Sequence, residues 1–175
     1  MRTRHIFVAL LLAVSCAWAT TLEQMSVERM IQQSTAIVRA KVVGSFAANR
    51  NGSIYTYYRL QVSENLKATT PANTEVAVPG GTLGQMTQSV AGAPELKAGS
   101  EYVLFLWTSR SGLTQIIGLS QGALDVKISG GSTVLGRSAT GEQMLDSTGH
   151  VVQDRGVALS LSDLRTRMAR QGGLQ

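Results

Sequence analysis

The apolar positions follow a helical period at first, then switch to a period of two and hold it for about a hundred residues. Residues 26–34 (SVERMIQQS) carry Val27, Met30 and Ile31 at helical spacing. Ser26 is placed as the N-cap, because its hydroxyl can accept from an unpaired amide of the first turn. Met25 is placed to staple back onto Met30. Residues 36–48 (AIVRAKVVGSFAA) then alternate like a strand, and Asn49-Arg50-Asn51-Gly52 reads as a turn, since Asn-Gly tolerates the positive φ of a tight hairpin. Residues 53–63 (SIYTYYRLQVS) form the return strand, rich in β-branched and aromatic types. A polar link over 64–73 leads to a short strand at 74–79 (TEVAVP), ended by Pro79-Gly80-Gly81. Residues 80–100 read as a long loop carrying a short strand at 86–91.

Residues 101–108 (EYVLFLWT) are apolar at consecutive positions, which predicts a central strand buried on both faces. Strands at 113–119 and 122–128 follow. Residues 130–156 are glycine-rich and weakly patterned, at most a hairpin or a tail packed on the rest. Residues 161–170 (LSDLRTRMAR) read as a closing helix capped by Ser162 or Asp163, with Leu161, Leu164 and Met168 as its apolar stripe. Helix, five to seven short strands, helix is the order of an all-β barrel or sandwich and not of alternating βα units.

The N-terminus changes the inventory. Arg2, Arg4 and His5 precede an apolar run from Ile6 to Val14, and Ala17-Trp18-Ala19 follows with small residues at its first and third positions. That is the three-part pattern of a secretory signal peptide over residues 1–19, so the protein is expected to be exported, to the periplasm or the medium. The run is too short to span a bilayer, and no later stretch is longer, so no membrane span is expected. A lipoprotein cleavage ahead of Cys16 is the weaker alternative, because Ala13 stands where such signals prefer leucine. Cleavage after Ala19 removes Cys16 and His5, and with Arg2 and Arg4 it lowers the formal charge of +5 by two. The mature chain then has no disulfide and only a mild cationic surplus, which is no footprint for nucleic acid. Residues 20–128 are expected to form the barrel, with 129–175 as a glycine-rich extension and helix packed on the same domain.

Several segments resemble a family of exported bacterial proteins of uncharacterised function. They are Met25-Ser26-Val27-Glu28, Ala36-Ile37-Val38, Ile54-Tyr55-Thr56, Pro79-Gly80-Gly81, Gly92-Ala93-Pro94, the run Gly99 to Leu106, and Gly118-Leu119-Ser120-Gln121-Gly122. The resemblance covers about residues 22–128. It implies a five-stranded barrel of the oligonucleotide/oligosaccharide-binding (OB) type, similar in outline to the N-terminal domain of tissue inhibitors of metalloproteinases. Those inhibitors chelate a protease's zinc through an N-terminal cysteine, which the mature chain lacks, so the resemblance speaks to fold.

Catalytic signals are present only as fragments. Gly118-Leu119-Ser120-Gln121-Gly122 matches the G-x-S-x-G of a nucleophile elbow, and Asp125 or Asp146 and then His150 follow in hydrolase order. An elbow needs a helix after the serine, whereas 123–128 alternates like a strand, so the motif reads as a glycine-flanked turn. A lone histidine without cysteines cannot complete a zinc site. No calcium loop or phosphate-binding loop is present, and no cofactor is implied. The surface with chemistry is the first hairpin. Alternation sends Ile54, Thr56, Tyr58, Leu60 and Val62 inward and Tyr55, Tyr57, Arg59 and Gln61 outward. Arg39 and Lys41 point outward from the partner strand and are expected near Tyr57 and Arg59. Exposed tyrosine and arginine together are typical of binding hot spots.

These observations favour a non-catalytic binding module for a protein partner in the envelope or medium, with control of a protease as one form. A cell-wall or glycan-binding module, and a hydrolase of unrecognised type using Ser120, are the alternatives.

Overall fold

A computed structural model describes residues 21–172; the leader pattern with Cys16, and the last three residues, lie outside that range. A two-residue strand, β1 (Leu22–Glu23), leads to helix α1 (Val27–Gln33). Ser26 caps α1 by accepting from the Arg29 amide at 3.1 Å. Strands β2 (Ala36–Arg50) and β3 (Ser53–Lys67) then form a long hairpin. Its two-residue turn has Asn51 at φ 52° and Gly52 at φ 84°, the left-handed pair that such a turn requires. β4 (Asn73–Pro79) adds to β3, and β5 (Gly81–Leu83) and β6 (Met86–Gln88) form a small separate hairpin. β7 (Glu101–Thr108) pairs antiparallel with the first part of β2, and β8 (Thr114–Ile116) folds back on β7.

Closure comes from one parallel contact, Ala77 of β4 opposite Gln115 of β8. The circuit β2–β3–β4–β8–β7 and back to β2 is a closed five-stranded barrel with OB-like order, the all-β fold expected from the pattern. Its interior is filled from alternate positions: Val38, Ala40 and Val42 of β2, Tyr58 and Leu60 of β3, Val76 and Val78 of β4, and Tyr102, Leu104 and Leu106 of β7. Leu96, from the segment before β7, plugs the same core, and the Lys97 amide donates to the Tyr102 hydroxyl at 3.0 Å.

A second core explains why β7 is apolar at every central position. Val103 and Phe105 face out of the barrel, where Met30 and Ile31 of α1 and Ile37 of β2 cover them with Leu124 and Leu135. Leu124 lies on β9 (Ala123–Ser129) and Leu135 on β10 (Ser132–Arg137). β9 extends the sheet from β7, then come β10 and, after the two short strands β11 (Met144–Leu145) and β12 (Val151–Val152), β13 (Val157–Ser160). Helix α2 (Leu161–Gly172) closes the second core with Leu161 and Leu164. Its cap is Ser160 and not Ser162 or Asp163: the Ser160 hydroxyl accepts from the Asp163 amide at 3.0 Å.

The glycine-rich stretch is more ordered than its pattern predicts. β11 pairs with both β1 and β12, and a clamp holds the segment between β10 and β13. Asp154 accepts from both terminal nitrogens of the Arg137 guanidinium and from the amides of Thr140 and Gly156.

Candidate functional site

Beyond β7, β2 pairs with β3 alone among the described strands, while β3 here continues as barrel wall through its pairing with β4. A β-bulge between Val42 and Gly44 inserts one residue into β2. An extra residue reverses the alternation of a strand, so Phe46, which period-two counting sends inward with Val38 and Val42, faces outward. It lies opposite Tyr57, five residues from the turn on each strand. The two rings stack with centroids 5.2 Å apart and an interplanar angle of 11°, and Tyr55 tilts against Tyr57 at 6.4 Å. The Arg59 guanidinium lies 5.1 Å from the centroid of Phe46, and its Nε stands 3.5 Å from Glu75 across β4. Rings at these spacings attract each other through offset stacking. A guanidinium over a ring adds about 0.5–1 kcal/mol at an exposed site.

The row continues across the barrel. Tyr57 is opposite Ala77, Ala77 opposite Gln115, and Gln115 opposite Trp107, so all share the outer face. Ala77 is only 2% exposed, as expected of a small residue flanked by larger neighbours, while Phe46 is 38% and Trp107 44% exposed. Trp107 and Gln115 also line a groove of about 540 Å³, whose other apolar walls are Met25, Ile116, Ile117 and Leu119. The outcome is a strip with planar aromatic residues at both ends, an alanine between them, and a groove at the Trp107 end. Apolar planes with polar tips gain from losing water while the tips select orientation.

Arg39 and Lys41 are not part of this strip. The expected meeting with Tyr57 and Arg59 does not occur: counted from the Asn51-Gly52 turn, even a bulge-free hairpin sets Arg39 opposite Glu64 and Lys41 opposite Val62, beyond Arg59. Arg39 is opposite Glu64, Lys41 opposite Gln61, and Arg59 opposite Gly44. Arg39 is instead engaged with Glu101 of β7 through two hydrogen bonds, 2.9 and 2.8 Å, and the Ser63 hydroxyl reaches the same carboxylate at 3.1 Å. The Arg39 fork holds the Glu101 carboxyl below the usual carboxylate range. Of the five residues singled out on this hairpin, Tyr55, Tyr57 and Arg59 therefore come together, joined by Phe46 and, farther along the row, Trp107. Phe46 was recoverable by counting from the Asn51-Gly52 turn; Trp107 had no local signal.

Helix α2 leaves the strip open. Two of its three arginines are spent elsewhere, Arg165 on Glu64 and Arg167 on Glu28 and Asp163. Ser120 lies in a 3-10 turn (Leu119–Gly122) that runs directly into β9, without the helix that an elbow requires. Its buried hydroxyl has no hydrogen-bond partner, and His150 Nδ1 bonds instead with the Thr148 hydroxyl at 2.8 Å. No base is therefore bonded to the serine. Gln121 is the structural member of the motif: its amide ties the Met25 amide and the Glu23 carbonyl to the turn at 2.8 and 2.9 Å. Among the described residues, no group of three or more His, Cys, Asp or Glu converges to hold a metal ion, and no helix is long and apolar enough to cross a membrane.

No protein-family model matches the chain, and no curated protein and no solved structure matches it either.

Proposed function

We propose that this protein is an exported, non-catalytic module that holds a protein partner on the outer face of its first hairpin, in keeping with the exported OB-like barrels it resembles. One observation carries the reading: Phe46 and Tyr57 are stacked in the open, with Arg59 above Phe46, and lie in register with Trp107. Side chains that only stabilised the sheet would need no such continuation. Exposed aromatic residues with an arginine are the usual anchors of protein–protein contacts. Export rests on the leader pattern. Control of an extracellular protease is one form such a partnership can take, and an absence of inhibition across metallo- and serine-protease panels would remove it.

A second reading is glycan binding. β3 and β4 are the second and third strands of the barrel circuit, the face on which OB barrels take oligosaccharides. The test is affinity capture from the envelope and medium by the parent protein and by a folded Tyr55→Ala, Tyr57→Ala, Arg59→Ala variant. A specific protein captured by the parent and lost by the variant is the expected result. Equal capture by both would move the site elsewhere. Co-sedimentation with purified peptidoglycan, without protein capture, would favour the glycan reading.

A further inference from the structure

The distal half of β2 has a second edge that the fold leaves unused. Ile54 donates its amide to the Gln88 side chain at 2.9 Å, and its carbonyl accepts from Gly80 at 2.8 Å. Both groups thus point away from β2, so the pair Asn49–Ile54 is not hydrogen-bonded across the hairpin. Antiparallel ladders alternate, which gives the same result for Ala47–Thr56 and Ser45–Tyr58. The amides and carbonyls of Ser45, Ala47 and Asn49 are then aimed outward, on the side where β7 stops at Lys41 and the following loop reaches only Val42. Among the described residues, none supplies them a hydrogen-bond partner.

Natural sheets protect such edges with lysine, proline or a bulge. From Val43 to Asn49 this edge has no charged residue and no proline, and its bulge lies before Gly44, leaving Gly44 to Arg50 regular. Val43 is 55% exposed beside it. The same stretch is self-complementary. Turned about a two-fold axis at Ala47, it sets Ala47 against Ala47 of a second copy, Ser45 against Asn49, and Phe46 beside Ala48. Large then meets small on the outer face, polar meets polar on the inner, and no like charges are opposed. Arg50, at one end, falls opposite Gly44.

We propose that two copies of this chain pair antiparallel along this edge, as a closed two-fold dimer centred on Ala47. The pairing supplies the missing partners of Ser45, Ala47 and Asn49. It also joins the aromatic faces, since Phe46 of one copy continues through Ala48 to Tyr55 of the other. The inference does not depend on what binds the aromatic strip.

Sedimentation velocity over a dilution series, read beside amide hydrogen exchange, tests it. The expected result is twice the chain mass at high concentration, falling to the single chain on dilution. Protection of the Ser45, Ala47 and Asn49 amides should rise with the dimer fraction. Ala47→Pro removes the central amide, and Ala48→Glu places a carboxylate beside Phe46 of the other copy; both should be monomeric. Should Ala47→Pro fail to fold, Ala48→Glu decides, because it leaves every hydrogen bond within the chain in place. Tyr57→Ala, which should lose partner capture, should keep the dimer. A single-chain mass at every concentration, or a dimer unaffected by Ala48→Glu, would overturn the proposal.

Discussion

Asp154→Asn isolates what holds the glycine-rich extension to the barrel. The side chains of Asp154 and Arg137 are 2% and 10% exposed, so this ion pair is largely withdrawn from water. The carboxylate accepts four hydrogen bonds, two from the Arg137 fork and two from backbone amides. Asparagine keeps the shape, but its NH2 faces donors where an oxygen faced them, and the Arg137 charge is left buried without a counter-charge. The Nε of Arg137 already has no partner, so it offers no relief. Breaking one side of a buried pair costs about 3–5 kcal/mol. For a chain of 175 residues that is a fall in Tm of about 6–20 °C. Urea unfolding followed by Trp107 fluorescence, with exchange of the β10 and β13 amides, reads the loss and its place.

The acid response adds a sign. The Arg137 fork holds the Asp154 carboxyl far below the usual carboxylate range. A depressed folded pKa contributes stability that is complete above the unfolded value, about 3.9, and is lost as pH falls below it. The gap between parent and variant should be constant from neutral pH to about 5 and narrow below about 4. Replacing both partners, as Arg137→Met with Asp154→Leu, should recover part of the loss, because no unpaired charge then remains while the amides of Thr140 and Gly156 still lose their acceptor. A variant within about 0.5 kcal/mol of the parent at neutral pH would refute the reasoning, since that is the scale of an ordinary surface substitution.

Two further outcomes are expected. Glu101→Gln should cost about 1 kcal/mol at neutral pH, a value discounted because both side chains are a quarter to a third exposed; its folded pKa is lowered by Arg39, so the deficit in a urea titration should shrink as pH falls below about 4.5. Gly122→Ala should destabilise by about 1–3 kcal/mol in the same assay, since its Cβ would stand 2.3 Å from the Ile117 carbonyl oxygen and 3.0 Å from Ile116 Cγ2.

Features that nearest neighbours along the chain determine were legible in the sequence alone. Ser26 caps the helix it precedes, Asn51-Gly52 turns the hairpin, and the run at 101–108 is buried on both faces from Tyr102 to Leu106. These depend on φ, on one hydroxyl, or on burial summed over a whole strand, so the residues on either side suffice to specify them. The alternation of β3 was legible too, and with it Tyr55, Tyr57 and Arg59 as an outward set.

Three things were decided only by the tertiary structure. The bulge at Val43 reverses the face of β2; an inserted residue leaves no mark in composition, only a change of phase, so alternation carried on from Val38 and Val42 gives the wrong face for Phe46. The single parallel pairing of Ala77 with Gln115 brings Trp107 into the row of Tyr57, across a separation in sequence that no periodicity encodes. The order in residues 130–156 comes from Asp154 gripping Arg137 and from β11 taking β1 as a neighbour, whereas glycine-rich sequence by itself has too little apolar surface to predict order. In each case the deciding energy is a contact between distant residues, and it exists only after the barrel has closed.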